Sequence, residues 1–384
     1  MSAQMNLSAF ASRSQDGSPA MQMNLRAGMR SFSFEHRVAT GDISATGDAA
    51  LAATLVPAMR WGGRLEVHAP VSRQLLANLG PVQEAFVANR KHLRPVEVVA
   101  PAAPSLDDCP DRGVACFFSG GVDSFYSVLS HREEITHLIF VHGFDIPLRE
   151  RRLRALVSES LQKAAGELDL PLVEVQTDVR AFADRRVDWG KEYFGAALAS
   201  IALFLGPRFR RVYIPSSYGP GQDVFCGSTP EVDPLWSTEE LEVVHDEKVA
   251  RIEKVASIAK SPVALRWLRV CWENRGGAYN CGRCRKCLQA MLGLRLAGAL
   301  DRCESFPVAL DMEALARLPL TATFLSPFVG ENLRAAEQAG DEEVAEALQR
   351  TLKRSTPRQR AIDRFKERVR ASLRLRLPVV GGYR

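Results

Sequence analysis

Two groups of residues in this 384-residue chain have types and spacing that could do chemistry. The first is Ser119-Gly120-Gly121-Val122-Asp123-Ser124, which follows an apolar, β-forming run at 113–118. That run suits a strand buried on both faces of a parallel sheet. Two consecutive glycines permit a sharp turn and let a ligand approach bare backbone. Ser119 and Ser124 add hydroxyls and Asp123 a carboxylate. Residues 125–130 continue as a helix, whose N-terminal NH groups and dipole favour an anion. The stretch reads as a phosphate-gripping loop, against the plainer alternative of a strand–turn–helix with a capping serine. It is not a Walker A loop, because Gly-x-x-x-x-Gly-Lys-Ser/Thr is absent.

The second group is Cys271, Cys281, Cys284 and Cys287, the last three in Cys-Gly-Arg-Cys-Arg-Lys-Cys. Four thiolates at these separations can close a tetrahedral shell around Zn²⁺. Gly276, Gly277 and Gly282 allow the backbone to fold around an ion, and Arg283, Arg285 and Lys286 offset thiolate charge. An iron–sulfur cluster is the rival, but its ferredoxin-type run wants a fourth Cys followed by Pro shortly downstream. Met291 and Leu292 stand there instead. An all-thiolate site leaves no open position for water, so its expected role is structural.

Ser-Gly-Gly-x-Asp-Ser resembles the pyrophosphate loop of the N-type ATP pyrophosphatases, the PP-loop superfamily. These enzymes adenylate a substrate oxygen and release pyrophosphate. With the downstream cysteine pattern, residues 113–300 are similar to the 7-cyano-7-deazaguanine synthases, which use ATP and ammonia to convert a carboxylate to an amide and then a nitrile. The resemblance implies that Ser119, Gly120, Gly121, Val122, Asp123 and Ser124 hold the departing pyrophosphate, with Asp123 near Mg²⁺. It places His142, Gly143 and Asp145 near adenine and ribose, although Asp145 could equally cap a helix ahead of Leu148. It also gives Arg251 or Lys254 a phosphate-reaching role, with a solvated helix face as the plain alternative. The loop at 219–233 and the segment 236–246 depart from the pattern and are expected to shape a different substrate pocket.

The elements that must position these groups follow from periodicity. From Gly113 the chain alternates strands (114–118, 137–142, 172–176, 211–215) with helices (122–131, 148–168, 191–205), as in a doubly wound, mostly parallel α/β sheet. In such a sheet the loops at 119–124, 142–145, 177–180 and 216–234 converge at the strands' carboxyl ends. Residues 1–105 are expected to form a small α+β domain. Its first thirty residues are polar and partly loose, strands follow at 31–38, 64–68 and 96–100, and helices at 49–59 and 74–88. Pro101-Ala102-Ala103-Pro104-Ser105 reads as a linker to the ATP-pyrophosphatase domain at 106–300. Residues 301–384 are expected to be helical. His36, His68 and His92 lack metal-ligand spacing and are assigned no function.

The net charge is +5, but 351–384 holds eleven Lys or Arg against two acids, a surplus of +9, so the rest sums to −4. A basic amphipathic helix at 360–375 leaves nucleic acid a possible but unfavoured partner. No secretory signal is seen, and the longest apolar run, 194–206, is too short for a bilayer, so a cytoplasmic location with no membrane contact is expected.

The expected function is an ATP-dependent ligase that adenylates a small-molecule carboxylate or carbonyl oxygen and lets ammonia or an amine capture it. Asp123, Ser124, Arg251 and Lys254 are its catalytic candidates, and ATP, Mg²⁺ and Zn²⁺ its cofactors. The alternatives are a tRNA-modifying sulfurtransferase using Cys226 and a non-catalytic ATP-sensing subunit. A homodimer is a possible assembly.

Overall fold

The computed structural model describes residues 3–14, 16–104, 111–222, 224–318 and 325–354, together with Ile362. Its first surprise lies in the polar N-terminal stretch. Met5 and Leu7 alternate with polar neighbours, as do Met21, Met23 and Leu25, and all five are buried. That alternation makes strands β1 (Gln4–Arg13) and β2 (Pro19–Ala27). They pair antiparallel, and β2 pairs antiparallel with β3 (Arg30–Val38). The expected loose segment is therefore an ordered hairpin, missed because methionines served as its buried row.

The chain then forms α1 (Asp48–Ala58), β4 (Gly63–Val67), α2 (Arg73–Asn89) and β5 (Val96–Val99). From Gly113 it continues as β6 (Gly113–Phe117), α3 (Val122–Ser130), β7 (His137–His142), α4 (Arg151–Glu167), β8 (Leu172–Thr177), α5 (Val179–Ala183), α6 (Phe194–Phe204) and β9 (Phe209–Ile214). After the long loop come β10 (Glu242–His245), α7 (Arg251–Ile258), α8 (Pro262–Trp267), α9 (Arg285–Leu296), α10 (Met312–Ala316), α11 (Leu325–Ala339) and α12 (Glu342–Arg354).

Among the described residues all ten strands belong to one sheet, ordered β10-β9-β6-β7-β8-β3-β2-β1-β4-β5. Most neighbours are parallel; the antiparallel joints are β8·β3, β3·β2 and β2·β1. The protein is thus an α/β fold built on a mostly parallel sheet. Residues along β6 are buried alternately on its two faces: Ala115 and Phe117 belong to the apolar core that includes α1 and α6, Val114 and Cys116 to the one that includes α3, α4 and α7. Burial on both faces is what makes β6 read as a continuous apolar run.

The expected boundary at 101–105 marks a change of composition and not a separation of bodies. His36 on β3 registers with Thr177 on β8. Its ring nitrogens lie 2.9 Å from Thr177 Oγ1 and 2.6 Å from Ser200 Oγ, and Ser200 donates to the Ala49 carbonyl of α1. Pro101 and Ala103 hydrogen-bond through their backbone to Val71, so that segment is tied down as well. The described residues up to 104 and the β6–β10 half share one apolar core. Helices α10 to α12 pack as a separate apolar cluster against Leu288 and Leu292 of α9. The basic helix expected at 360–375 lies outside the described residues, apart from Ile362.

Candidate active site and metal centre

The strand order reverses at β6: β7 and β8 lie on one side, β9 and β10 on the other. The crevice beyond the carboxyl ends at such a reversal is where open α/β sheets take ligands. Residues 119–121 cross it. Gly120 has φ +73°, a left-handed conformation that L side chains rarely adopt, so the backbone angle at this turn calls for glycine. The Arg269 NH donates to the Gly120 carbonyl at 2.7 Å, and Ser124 Oγ to the Gly121 carbonyl at 3.1 Å. Gly121 starts α3 with no side-chain cap among the described residues, leaving first-turn NH groups for another acceptor.

Three of the four catalytic candidates meet above that helix end. Arg251 Nη2 lies 3.0 Å from Asp123 Oδ2, and Lys254 Nζ 3.4 Å from Asp123 Oδ1. Arg251 opens α7 and is half-buried, whereas Lys254, one turn on, is 1% exposed. Its ammonium also donates to the Ser216 carbonyl at 2.5 Å and faces the Tyr126 ring. Burial pulls the Lys254 pKa below its usual value, and the Asp123 charge resists that shift. The fourth candidate, Ser124, is buried and turned to the loop's own backbone.

The second loop is fixed by contacts of its own. His142 Nε2 lies 2.6 Å from Glu174 Oε2, and its Nδ1 accepts from Arg154 Nε at 3.3 Å. Burial alone would raise Glu174, but hydrogen bonds from His142, Ser158 and Gln162 prevail and bring its pKa down to about 2. His142 therefore ties β7 to β8 and α4. Gly143, at φ +101°, is required because a Cβ would lie 1.8 Å from the Thr177 carbonyl oxygen. Asp145 is exposed and caps no helix, since α4 begins at Arg151 with Glu150 as its cap. Its carbonyl accepts from Asn274 Nδ2 at 2.9 Å, linking this loop to the cysteine region.

The sulfur atoms of Cys271, Cys281, Cys284 and Cys287 all lie within 4.8 Å of one another. The pairs Cys281–Cys287 and Cys271–Cys284 are 3.9 Å apart and Cys284–Cys287 3.4 Å. A tetrahedron with metal–sulfur bonds of about 2.3 Å has edges of about 3.8 Å, so the four can hold a metal such as zinc. None is in a disulfide. The Cys284 NH points at Cys281 Sγ from 3.2 Å, and Gly282 turns at φ +65° between them. Neighbouring thiols lower the Cys271 pKa and raise that of Cys287, so together they resist full ionisation without a cation.

Sequence reasoning missed the residues that brace these groups. Asn280, 1% exposed, accepts the Val270 and Cys271 NH groups at 2.9 and 3.2 Å and donates to the Leu268 and Ser305 carbonyls at 2.8 and 3.1 Å. One side chain thus clasps both cysteine-bearing segments; its place immediately before Cys281 was the available signal. Arg269, 4% exposed, joins the cysteine cluster to the Gly120 backbone, and its Nε has no partner among the described residues. At the end of β10, His245 Nδ1 lies 2.7 Å from Oδ2 of Asp233, which also accepts from Ser228 Oγ. No motif spacing announces that pair. Cys226 is buried and donates to the Ser228 carbonyl, and burial pushes its thiol up to about 11.

No protein-family model matches this chain, and neither a curated protein nor a solved structure matches it. Among the described residues, no helix is long and apolar enough to cross a membrane.

Proposed function

We propose that the protein is an ATP-dependent ligase of the PP-loop type, which adenylates the carboxylate or carbonyl oxygen of a small molecule and lets ammonia or an amine displace AMP. The observation that carries this reading is the meeting of Asp123, Arg251 and the buried Lys254 over the uncapped end of α3. The residues fit a polyphosphate: bare glycine backbone, free helix NH groups and two cations in one crevice. Asp123 is an oxygen ligand of the kind Mg²⁺ takes. When bound, that ion would neutralise phosphate charge.

The substrate oxygen attacks the α-phosphorus and pyrophosphate leaves into the 119–124 loop. Lys254 and Arg251 exchange part of their contact with Asp123 for contact with the departing phosphates, where charge develops. No covalent nucleophile is required; positioning and charge neutralisation carry the step. The cysteine centre would hold Zn²⁺ in a closed, structural shell that fixes residues 268–287 behind the loop, through Arg269 and Asn280. The sulfurtransferase alternative asks for a reactive thiol, and Cys226 is a buried, weakly acidic one.

The test is pyrophosphate release from ATP and Mg²⁺ with a panel of small carboxylic acids and ammonium, including 7-carboxy-7-deazaguanine. Release that depends on one acid and is lost in Asp123→Ala supports the reading. ATP binding without release on any acid would replace it with a nucleotide-sensing role or a macromolecular acceptor.

A further inference from the structure

The adenylation step leaves unused a second group of side chains at the same edge of the sheet. His245 is the last residue of β10 and registers with Ile214 of β9, which in turn pairs with β6. Two strand spacings, about 10 Å, thus separate it from the end of the phosphate-loop strand. Its side chain is 5% exposed and that of Asp233 is fully buried. With Nδ1 2.7 Å from the Asp233 carboxylate, the ring hydrogen belongs on Nδ1 and the Nε2 lone pair is left free. Nε2 makes no hydrogen bond among the described residues. The Asp233 contact fixes the ring's orientation and leaves Nε2 placed to accept a proton.

His245 also lines a cavity of about 260 Å³ together with Tyr218, Gln222, Phe225, Glu231 and Lys248. The cavity adjoins the phosphate crevice through one short strip of chain. Ser216 gives its carbonyl to Lys254, Tyr218 lines the cavity, and Gly219 lies against Ala250 just before α7. Two aromatic side chains with an amide, an acid and an amine around a space of this size suit a small planar or short-chain acid.

Building on the adenylation reading, we infer that this cavity takes the carboxylic acid to be adenylated, and that His245, oriented by Asp233, is the base for the capturing nitrogen. The nitrogen lone pair forms the new bond to the acyl carbon. The bond from that carbon to the AMP oxygen breaks, its electron pair staying on the phosphate. The surplus proton on nitrogen passes to His245 Nε2, and the imidazolium rests against the Asp233 carboxylate.

The experiment compares two rates in wild type, His245→Gln and Asp233→Asn: acid-dependent pyrophosphate–ATP exchange, which reads adenylation, and amide formation with ammonium. The inference expects the ratio of amide formation to exchange to fall about 10²-fold or more in His245→Gln, in the range of lost general-base catalysis, and in the same direction in Asp233→Asn. Hydroxylamine, already unprotonated near neutral pH, should restore capture in His245→Gln to within a few-fold of wild type, a rescue that a folding defect would not allow. An unchanged ratio, or loss of both rates without hydroxylamine rescue, overturns the role of His245 and leaves adenylation standing. Absence of exchange in the wild type on every acid overturns the adenylation reading, and this inference with it.

Discussion

Lys254 Nζ lies 3.4 Å from Asp123 Oδ1 in a position almost closed to water, so a buried cation is held by a carboxylate that is itself a candidate magnesium ligand. On the adenylation reading, the crevice holds a cation that is already desolvated before a phosphate arrives. A desolvated, preoriented charge does more for a transition state than a solvated one.

Replacing Lys254 with Met keeps its volume and removes that charge. Pyrophosphate release is expected to fall about 10²–10³-fold, the range for loss of one preorganised electrostatic contact. Arg251→Met, at a more exposed position, is expected to lose less. Steady-state release assays on both variants, with circular dichroism to verify folding, measure the difference.

The cysteine centre is expected to bind one zinc per chain. Cys284→Ser should lose the metal, and chelation of the wild type should lower the unfolding temperature, because a structural site contributes its binding energy to folding. Elemental analysis beside thermal melts reads both effects. A chain that unfolds identically with and without metal would contradict a structural role.

Asn280→Ala removes four hydrogen bonds and leaves two backbone NH groups and two carbonyls without their partner. A loss of about 2–4 kcal/mol is expected from the unpaired groups. Zinc affinity should fall about 10–100-fold, as when a residue supporting a ligand is removed. Urea melts and competition with a chromogenic chelator give the two numbers.

Burial lowers the His36 pKa from 6.5 to about 3, so the folded protein keeps this imidazole neutral where the unfolded chain protonates it. Its contribution to stability is complete above pH 6.5 and is lost as pH falls from there toward 3. Between pH 7.5 and 5.5 the wild type should therefore lose about 1.4 kcal/mol that His36→Gln does not. Urea unfolding of both proteins at the two pH values tests this; parallel pH dependences would place the neutral histidine in error.

Cys226→Ala should retain nucleotide-dependent pyrophosphate release within a few-fold, since the thiol is buried and pushed up to about 11. Loss of turnover in a variant that still binds ATP would instead favour sulfur transfer.

Much of the candidate site was legible because its parts are local. The Ser119 loop is six consecutive residues, three of the cysteines span seven, and Arg251 and Lys254 share one helical face at adjacent turns. Short spacing of this kind is fixed by turn and helix geometry, so residue type alone predicts which side chains meet. The strands and helices after Gly113 were legible for a similar reason, since burial on both faces leaves apolar runs between turn residues.

The sequence by itself therefore determined the glycine turn at 119–124, the cysteine quartet and the alternation of strands with helices. Tertiary structure alone decided that the N-terminal hairpin belongs to the same sheet, through backbone pairing of β3 with β8 across some 140 residues of sequence. It also decided that Asp233 meets His245, that Asn280 clasps both cysteine segments and that His142 turns toward Glu174. Backbone hydrogen bonds between strands carry no residue signature, and a buried polar side chain takes whatever partner the packed elements bring within reach. Such contacts exist only once the sheet has closed.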